Sequence, residues 1–72
     1  MIFYKRIKDM RVDNDKTQLE VANAIGTSQS YYAQYENGKR AITLDRAIIL
    51  ARYYNVSLDY LAGLIDDPRP LK

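Results

Sequence analysis

TQLEVANAIGTSQSYYAQYENG, residues 17–38, carries two helix starts and two helix stops in one short span. Thr17 followed by Glu20 is a capping box: the threonine hydroxyl accepts a free N–H of the first turn, and the glutamate reaches back to the threonine N–H. Val21, Ala22 and Ile25 then recur on one helical face. Gly26 suits the left-handed residue that ends a helix. Ser28 is a second N-cap. Tyr32 and Tyr35, three apart, are expected to face inward, and Asn37-Gly38 is a stop signal. Residues 17–38 therefore read as two short helices joined by a tight turn.

The flanks add three more helices. Upstream, Phe3, Ile7 and Met10 lie at i, i+4 and i+7, which predicts a helix from about Phe3 to Val12. Asp13-Asn14-Asp15-Lys16 is a polar break. Downstream, Lys39 to Ile42 is a basic loop and Thr43 caps a fourth helix. Its inner face is read as Leu44, Ala47, Ile48, Ala51 and Tyr54. Asn55-Val56-Ser57 interrupts the pattern, Ser57 caps a last short helix (LDYLAG), and Gly63 closes it. The segment DDPRPLK, with two prolines, is expected to fray. The expectation is an all-α domain over residues 1–65, with no strand, and a tail over residues 66–72.

Bulk composition narrows the function. A chain of 72 residues is one small domain with little room for a deep cleft. Cysteine and histidine are both absent. That removes thiolate chemistry, disulfides, the commonest general base and the commonest metal ligand. No catalytic residue, metal, cofactor or small-molecule ligand is expected. The N-terminus lacks an apolar h-region, so it does not read as a signal peptide. The longest apolar run, Ala47 to Ala51, is too short to span a bilayer. A cytoplasmic protein without a membrane partner is the expectation. A formal charge of +2 and a pI near 9.0 are only mildly basic. The placement of the basic residues carries more information than the total.

Two short helices with a glycine at the joint form a helix-turn-helix, whose second helix enters the major groove of DNA. Many helical hairpins share this spacing, but the residues within it are more specific. Gln18-x-x-x-Ala22-x-x-x-Gly26, then Ser28-Gln29-Ser30, then Glu36-Asn37-Gly38-Lys39-Arg40 resemble the Cro/repressor-type (XRE-like) DNA-binding domain of phages and bacteria. Asn55 to Leu61 is similar to the segment that opens that family's fifth helix, and the likeness runs from about Arg6 to Gly63. It implies a compact five-helix, lambda-repressor-like domain.

The resemblance also implies roles. Gln29 and Ser30, with Gln34 one turn on, fall where family members touch base edges. A glutamine amide donates and accepts at once, which suits adenine N6 and N7. Ala33 is a candidate for a thymine methyl. Gln18, at a helix N-terminus, falls at a phosphate contact. Asn37, Lys39 and Arg40 fall in the loop that follows the backbone, where they add affinity and register but not sequence choice. Tyr31 reads equally as a phosphate or thymine-methyl contact and as a plain surface tyrosine. Arg11 and Glu36 match a family ion pair linking helix one to the end of helix three. For each of these residues, an ordinary solvated helix or loop position is the competing reading.

Leu19, Val12 and Ile49 fall on faces expected to see water. Tyr60, Leu61, Leu64 and Ile65 are grouped as a candidate homodimer patch, which would place two half-sites of a palindromic operator roughly 34 Å apart. The expected function is a sequence-specific DNA-binding transcriptional regulator, a repressor acting by operator occupancy on double-stranded DNA. The alternative is an antitoxin or protein-interaction module on the same domain, marked by an exposed apolar surface away from helix three.

Overall fold

Hydroxyl side chains set where the helices begin. The computed structural model describes residues 3–66, with side chains from residue 5. Its elements are α1 (Phe3–Asp13), α2 (Gln18–Ile25), α3 (Gln29–Glu36), α4 (Leu44–Tyr54) and α5 (Leu58–Leu61), with no strand among the described residues. Thr17, Ser28, Thr43 and Ser57 are the N-caps of α2 to α5. Their hydroxyls accept from the N–H groups of Glu20, Tyr31, Arg46 and Tyr60 at 3.1, 3.2, 3.3 and 3.1 Å. Each such cap contributes about 1 kcal/mol. The capping box at α2 is complete, because the Thr17 N–H donates to Glu20 Oε1 at 2.9 Å.

The helix ends are equally local. Gly26 has φ +79°, and its N–H donates into the last turn of α2 while the Thr27 N–H donates to the Ala22 carbonyl at 2.9 Å. A Cβ at Gly26 would meet nothing within 4 Å. The glycine is therefore required by its dihedral angle and not by space. After α1, Asp15 takes the left-handed conformation, with φ +56°.

One core joins all five helices. Ile7 and Met10 of α1 meet Val21, Ala22 and Ile25 of α2, Tyr32 and Tyr35 of α3, and Ala47, Leu50 and Ala51 of α4, with Val56 and Leu61 closing the end. The inward faces expected for α2 and α3 are the ones observed. Val12, Leu19 and Ile49 are exposed, also as expected. The Phe3 side chain lies outside the described ones, as does the tail from residue 67 onward.

Two expectations need correction. Leu44 and Ile48 are not on the inner face of α4: they are 65% and 37% exposed, and Leu50 is fully buried instead. Apolar residues cover most of the circumference of this helix, so two stripes share Ala47 and Ala51. The small alanines form the contact line, and the helix turns Leu50 inward with the half-buried Tyr54 one turn beyond. Leu61 is also fully buried. It anchors α5 to the core and is unavailable to a dimer patch.

Candidate nucleic-acid interface

The sharp turn at Gly26 and Ser28 sets α3 across α2, and burial divides α3 into two faces. Tyr32, Tyr35 and Glu36 are buried. Gln29 and Ser30 are exposed at the start of the helix, while Tyr31, Ala33 and Gln34 are half-buried along its outer side. Asn37, Lys39 and Arg40 are exposed in the loop that follows. Apart from Gln18, at the start of α2, the base-reading and backbone-clamping candidates thus lie along one helix and its C-terminal loop.

A buried ionic network fixes the angle of α3. Arg11 Nε donates to Glu36 Oε2 at 2.6 Å and Arg11 Nη2 to Glu36 Oε1 at 3.1 Å. The remaining Arg11 nitrogen, Nη1, donates to the Lys16 carbonyl at 2.9 Å. Gln18 Nε2 donates to Glu36 Oε1 at 3.2 Å, so α2 joins the same node. The side chains of Arg11 and Glu36 are 14% and 3% exposed. Burial alone pushes the Glu36 carboxyl up, but the Arg11 hydrogen bonds, helped by Tyr32, Gln18 and the Arg11 charge, outweigh it and hold the group below its ordinary value. This is the expected ion pair, with Gln18 added as a third member. Gln18 keeps its place at the N-terminus of α2 while bracing the end of α3.

Two tyrosine hydroxyls lie close to this node without a hydrogen-bond partner, those of Tyr32 and Tyr54. Burial pushes both phenols well above their ordinary range, and the nearby Glu36 charge adds to the effect. The Tyr32 hydroxyl lies within the influence of that carboxylate, which raises the phenol while the hydroxyl helps to hold the carboxyl down.

A second cluster gathers the outer residues. The Arg40 guanidinium lies 4.6 Å from the centre of the Tyr31 ring, and Arg40 Nε donates to Gln34 Oε1 at 3.2 Å. Arg46, on the first turn of α4, lies 5.4 Å from the same ring and donates through Nη1 to the Tyr35 hydroxyl at 2.8 Å. Tyr31 and Tyr35 meet edge-on at 5.5 Å. Tyr31 is thus flanked by two guanidinium groups, which makes this end of α3 a concentrated positive site. Sequence spacing does not single out Arg46, because its place beside Tyr31 is a tertiary contact. The available signal was the buried Tyr35 hydroxyl, which needs a donor or acceptor close by.

The other candidates stand alone or elsewhere. Asn37 Oδ1 accepts the Lys39 N–H at 3.3 Å, which shapes the loop. Tyr60 is half-buried, with the Arg6 guanidinium 4.3 Å from its ring centre. Leu64 is 70% exposed and Ile65 is half-buried.

Comparison with known proteins agrees with this fold. A helix-turn-helix family model matches residues 7–61. The chain is 39% identical over 69 residues to the HTH-type transcriptional regulator YobD of Bacillus subtilis (strain 168), covering 96% of this chain and 62% of that protein. It is 38% identical over 66 residues to the cryptic phage CTXphi transcriptional repressor RstR of Vibrio cholerae, covering 92% of this chain and 57% of that one. The chain therefore spans about three fifths of the length of these relatives. The fold superposes on that of the P22 c2 repressor protein, solved in complex with a synthetic operator, with a TM-score of 0.77, 21% identity, and coverage of 85% of this chain and 92% of the other. The chain belongs to the helix-turn-helix family, in its Cro/repressor-type (XRE-like) form.

Proposed function

We propose that the chain is the DNA-binding part of a sequence-specific transcriptional regulator that represses by occupying an operator, with α3 in the major groove. The observation that carries this is the division of α3. Its buried face is locked by the Arg11–Glu36–Gln18 node, and its outer side holds Gln29, Ser30 and Gln34 next to Lys39, Arg40 and Arg46. Gln29, Ser30, Gln34 and the Ala33 methyl read base edges. Gln18, Tyr31, Asn37, Lys39, Arg40 and Arg46 hold phosphates. YobD and RstR, by name a transcriptional regulator and a transcriptional repressor, support the same reading. It describes a cytoplasmic binding protein, not an enzyme. Homodimerisation through Tyr60, Leu64 and Ile65 would match a palindromic operator.

Selection of bound DNA from a random library tests this. A palindromic motif is expected, and no enrichment of any sequence overturns it. One observation favours a protein-interaction role instead: Leu44, Ile48 and Ile49 of α4 are exposed apolar residues outside α3. In that case a protein partner is captured and no DNA sequence is enriched.

A further inference from the structure

Tyr35 is 2% exposed, too deep in the core to touch DNA, yet its hydroxyl ends against a cation of the outer cluster. Phenylalanine would fill the same core volume, so the hydroxyl is the part that needs a reason. Arg46 supplies it: Nη1 donates to the Tyr35 oxygen at 2.8 Å. The bond runs from the last turn of α3 to the first turn of α4. A guanidinium carries several N–H donors and spends one here, which leaves the others for a second partner.

The anchor is neutral. Among the described residues no carboxylate pairs with Arg40 or Arg46, so the bond holds Arg46 in place without cancelling its charge. It also works against a repulsion. The Arg40 and Arg46 guanidinium groups lie 4.6 and 5.4 Å from the centre of the same Tyr31 ring, and like charges gathered there tend to part. Tyr31 and Tyr35 meet edge-on at 5.5 Å, so the ring that Arg46 packs on and the hydroxyl that it bonds are fixed to each other.

We infer that Tyr35 is a positioning residue for DNA binding: its buried hydroxyl holds the Arg46 guanidinium beside Tyr31 in advance of DNA, ready for a phosphate. This rests on the proposal that Arg46 holds a phosphate. An arginine side chain has many rotamers, and ordering it on binding costs affinity unless it is ordered beforehand. Tyr35 thereby adds to the affinity for any sequence. It lies behind α3 and touches no base, so it adds nothing to the choice of sequence.

The test is a double-mutant cycle of Tyr35→Phe and Arg46→Ala, read as affinity for the selected operator and for unrelated DNA at one salt concentration. Circular dichroism and melting check that each variant folds; phenylalanine keeps the buried ring and removes only the hydroxyl. Tyr35→Phe is expected to weaken binding to both DNAs alike by roughly 2- to 10-fold, the order of the cost of fixing one long side chain, with base preference unchanged. In the Arg46→Ala background the same substitution is expected to have no effect on affinity. An unchanged affinity of Tyr35→Phe overturns the inference, and so does an equal loss in both backgrounds. A loss with altered base preference overturns it as well, because the hydroxyl then acts through the tilt of α3. Arg46→Ala with affinity and salt slope both unchanged overturns the phosphate reading of Arg46 itself, and this inference with it.

Discussion

Replacing Arg11 with methionine should unfold the domain far more readily at neutral pH than in mild acid. The substitution keeps an unbranched apolar stem but removes both hydrogen bonds to Glu36, at 2.6 and 3.1 Å, and the one to the Lys16 carbonyl at 2.9 Å. Glu36, with 3% of its side chain exposed, keeps the 3.2 Å bond from Gln18 and the neighbouring Tyr32 hydroxyl but loses its charge partner. Stranding a buried charge in this way costs about 3–5 kcal/mol. A domain of this size has a total stability near the low end of about 5–15 kcal/mol. Arg11→Met is therefore expected to be marginally folded at pH 7, with Tm lowered by about 4–8 °C per kcal/mol.

The pH dependence separates this cause from lost packing. In the wild type, the Glu36 carboxyl is held below its ordinary value, so its contribution is present above the unfolded pKa and is lost as pH falls through the folded one. Without Arg11, burial is left to push the carboxyl up. Protonation then relieves the stranded charge, and the gap between variant and wild type narrows as pH falls. Urea unfolding of both proteins at pH 7 and near pH 4 measures this gap. A gap below about 1 kcal/mol at pH 7 would refute the reasoning, since exposed pairs contribute that little. A gap unchanged between the two pH values would refute it as well.

Three other outcomes follow from single positions. Gly26→Ala is expected to cost about 1–2 kcal/mol in thermal unfolding, purely from the left-handed dihedral, because the added Cβ meets nothing within 4 Å; a neutral result would show that the turn relaxes freely. Tyr54→Phe removes a buried hydroxyl that lacks a partner and is expected to stabilise the domain by about 1 kcal/mol, whereas a loss of stability would show that the hydroxyl is solvated in solution. Arg46→Ala is expected to weaken binding to all DNA sequences and reduce the slope of log affinity against log salt by about one, and an unchanged slope removes Arg46 from the phosphate contacts.

The sequence was most legible where a residue acts on its own backbone. Thr17, Ser28, Thr43 and Ser57 cap the helices assigned to them, and Gly26 has the positive φ expected of it. These are short-range effects, decided within a few residues. The inner faces of α2 and α3 were equally legible, because polar residues mark their outer sides. Helix α4 was not, because its apolar residues cover two overlapping stripes and only packing around Ala47 and Ala51 chooses between them. Leu61 is illegible for a related reason: an apolar residue in a short last helix fits a core or an interface equally well until the neighbouring helices are placed. At the candidate site, Arg11 and Glu36 were paired by resemblance, but Gln18 as their third partner and Arg46 beside Tyr31 depend on distances between helices. Spacing along the chain carries no information about such contacts.

The claim that α3 reads bases is tested most directly by the affinity of Gln29→Ala, measured against wild type on the selected operator and on unrelated DNA at one salt concentration. Gln29 is exposed at the first turn of α3, so its loss leaves the core intact. The expected result is a loss of about 1–3 kcal/mol on the operator, relaxed preference at one base pair, and unchanged affinity for unrelated DNA. An equal loss on both DNAs, or no loss on either, would contradict direct readout by this helix.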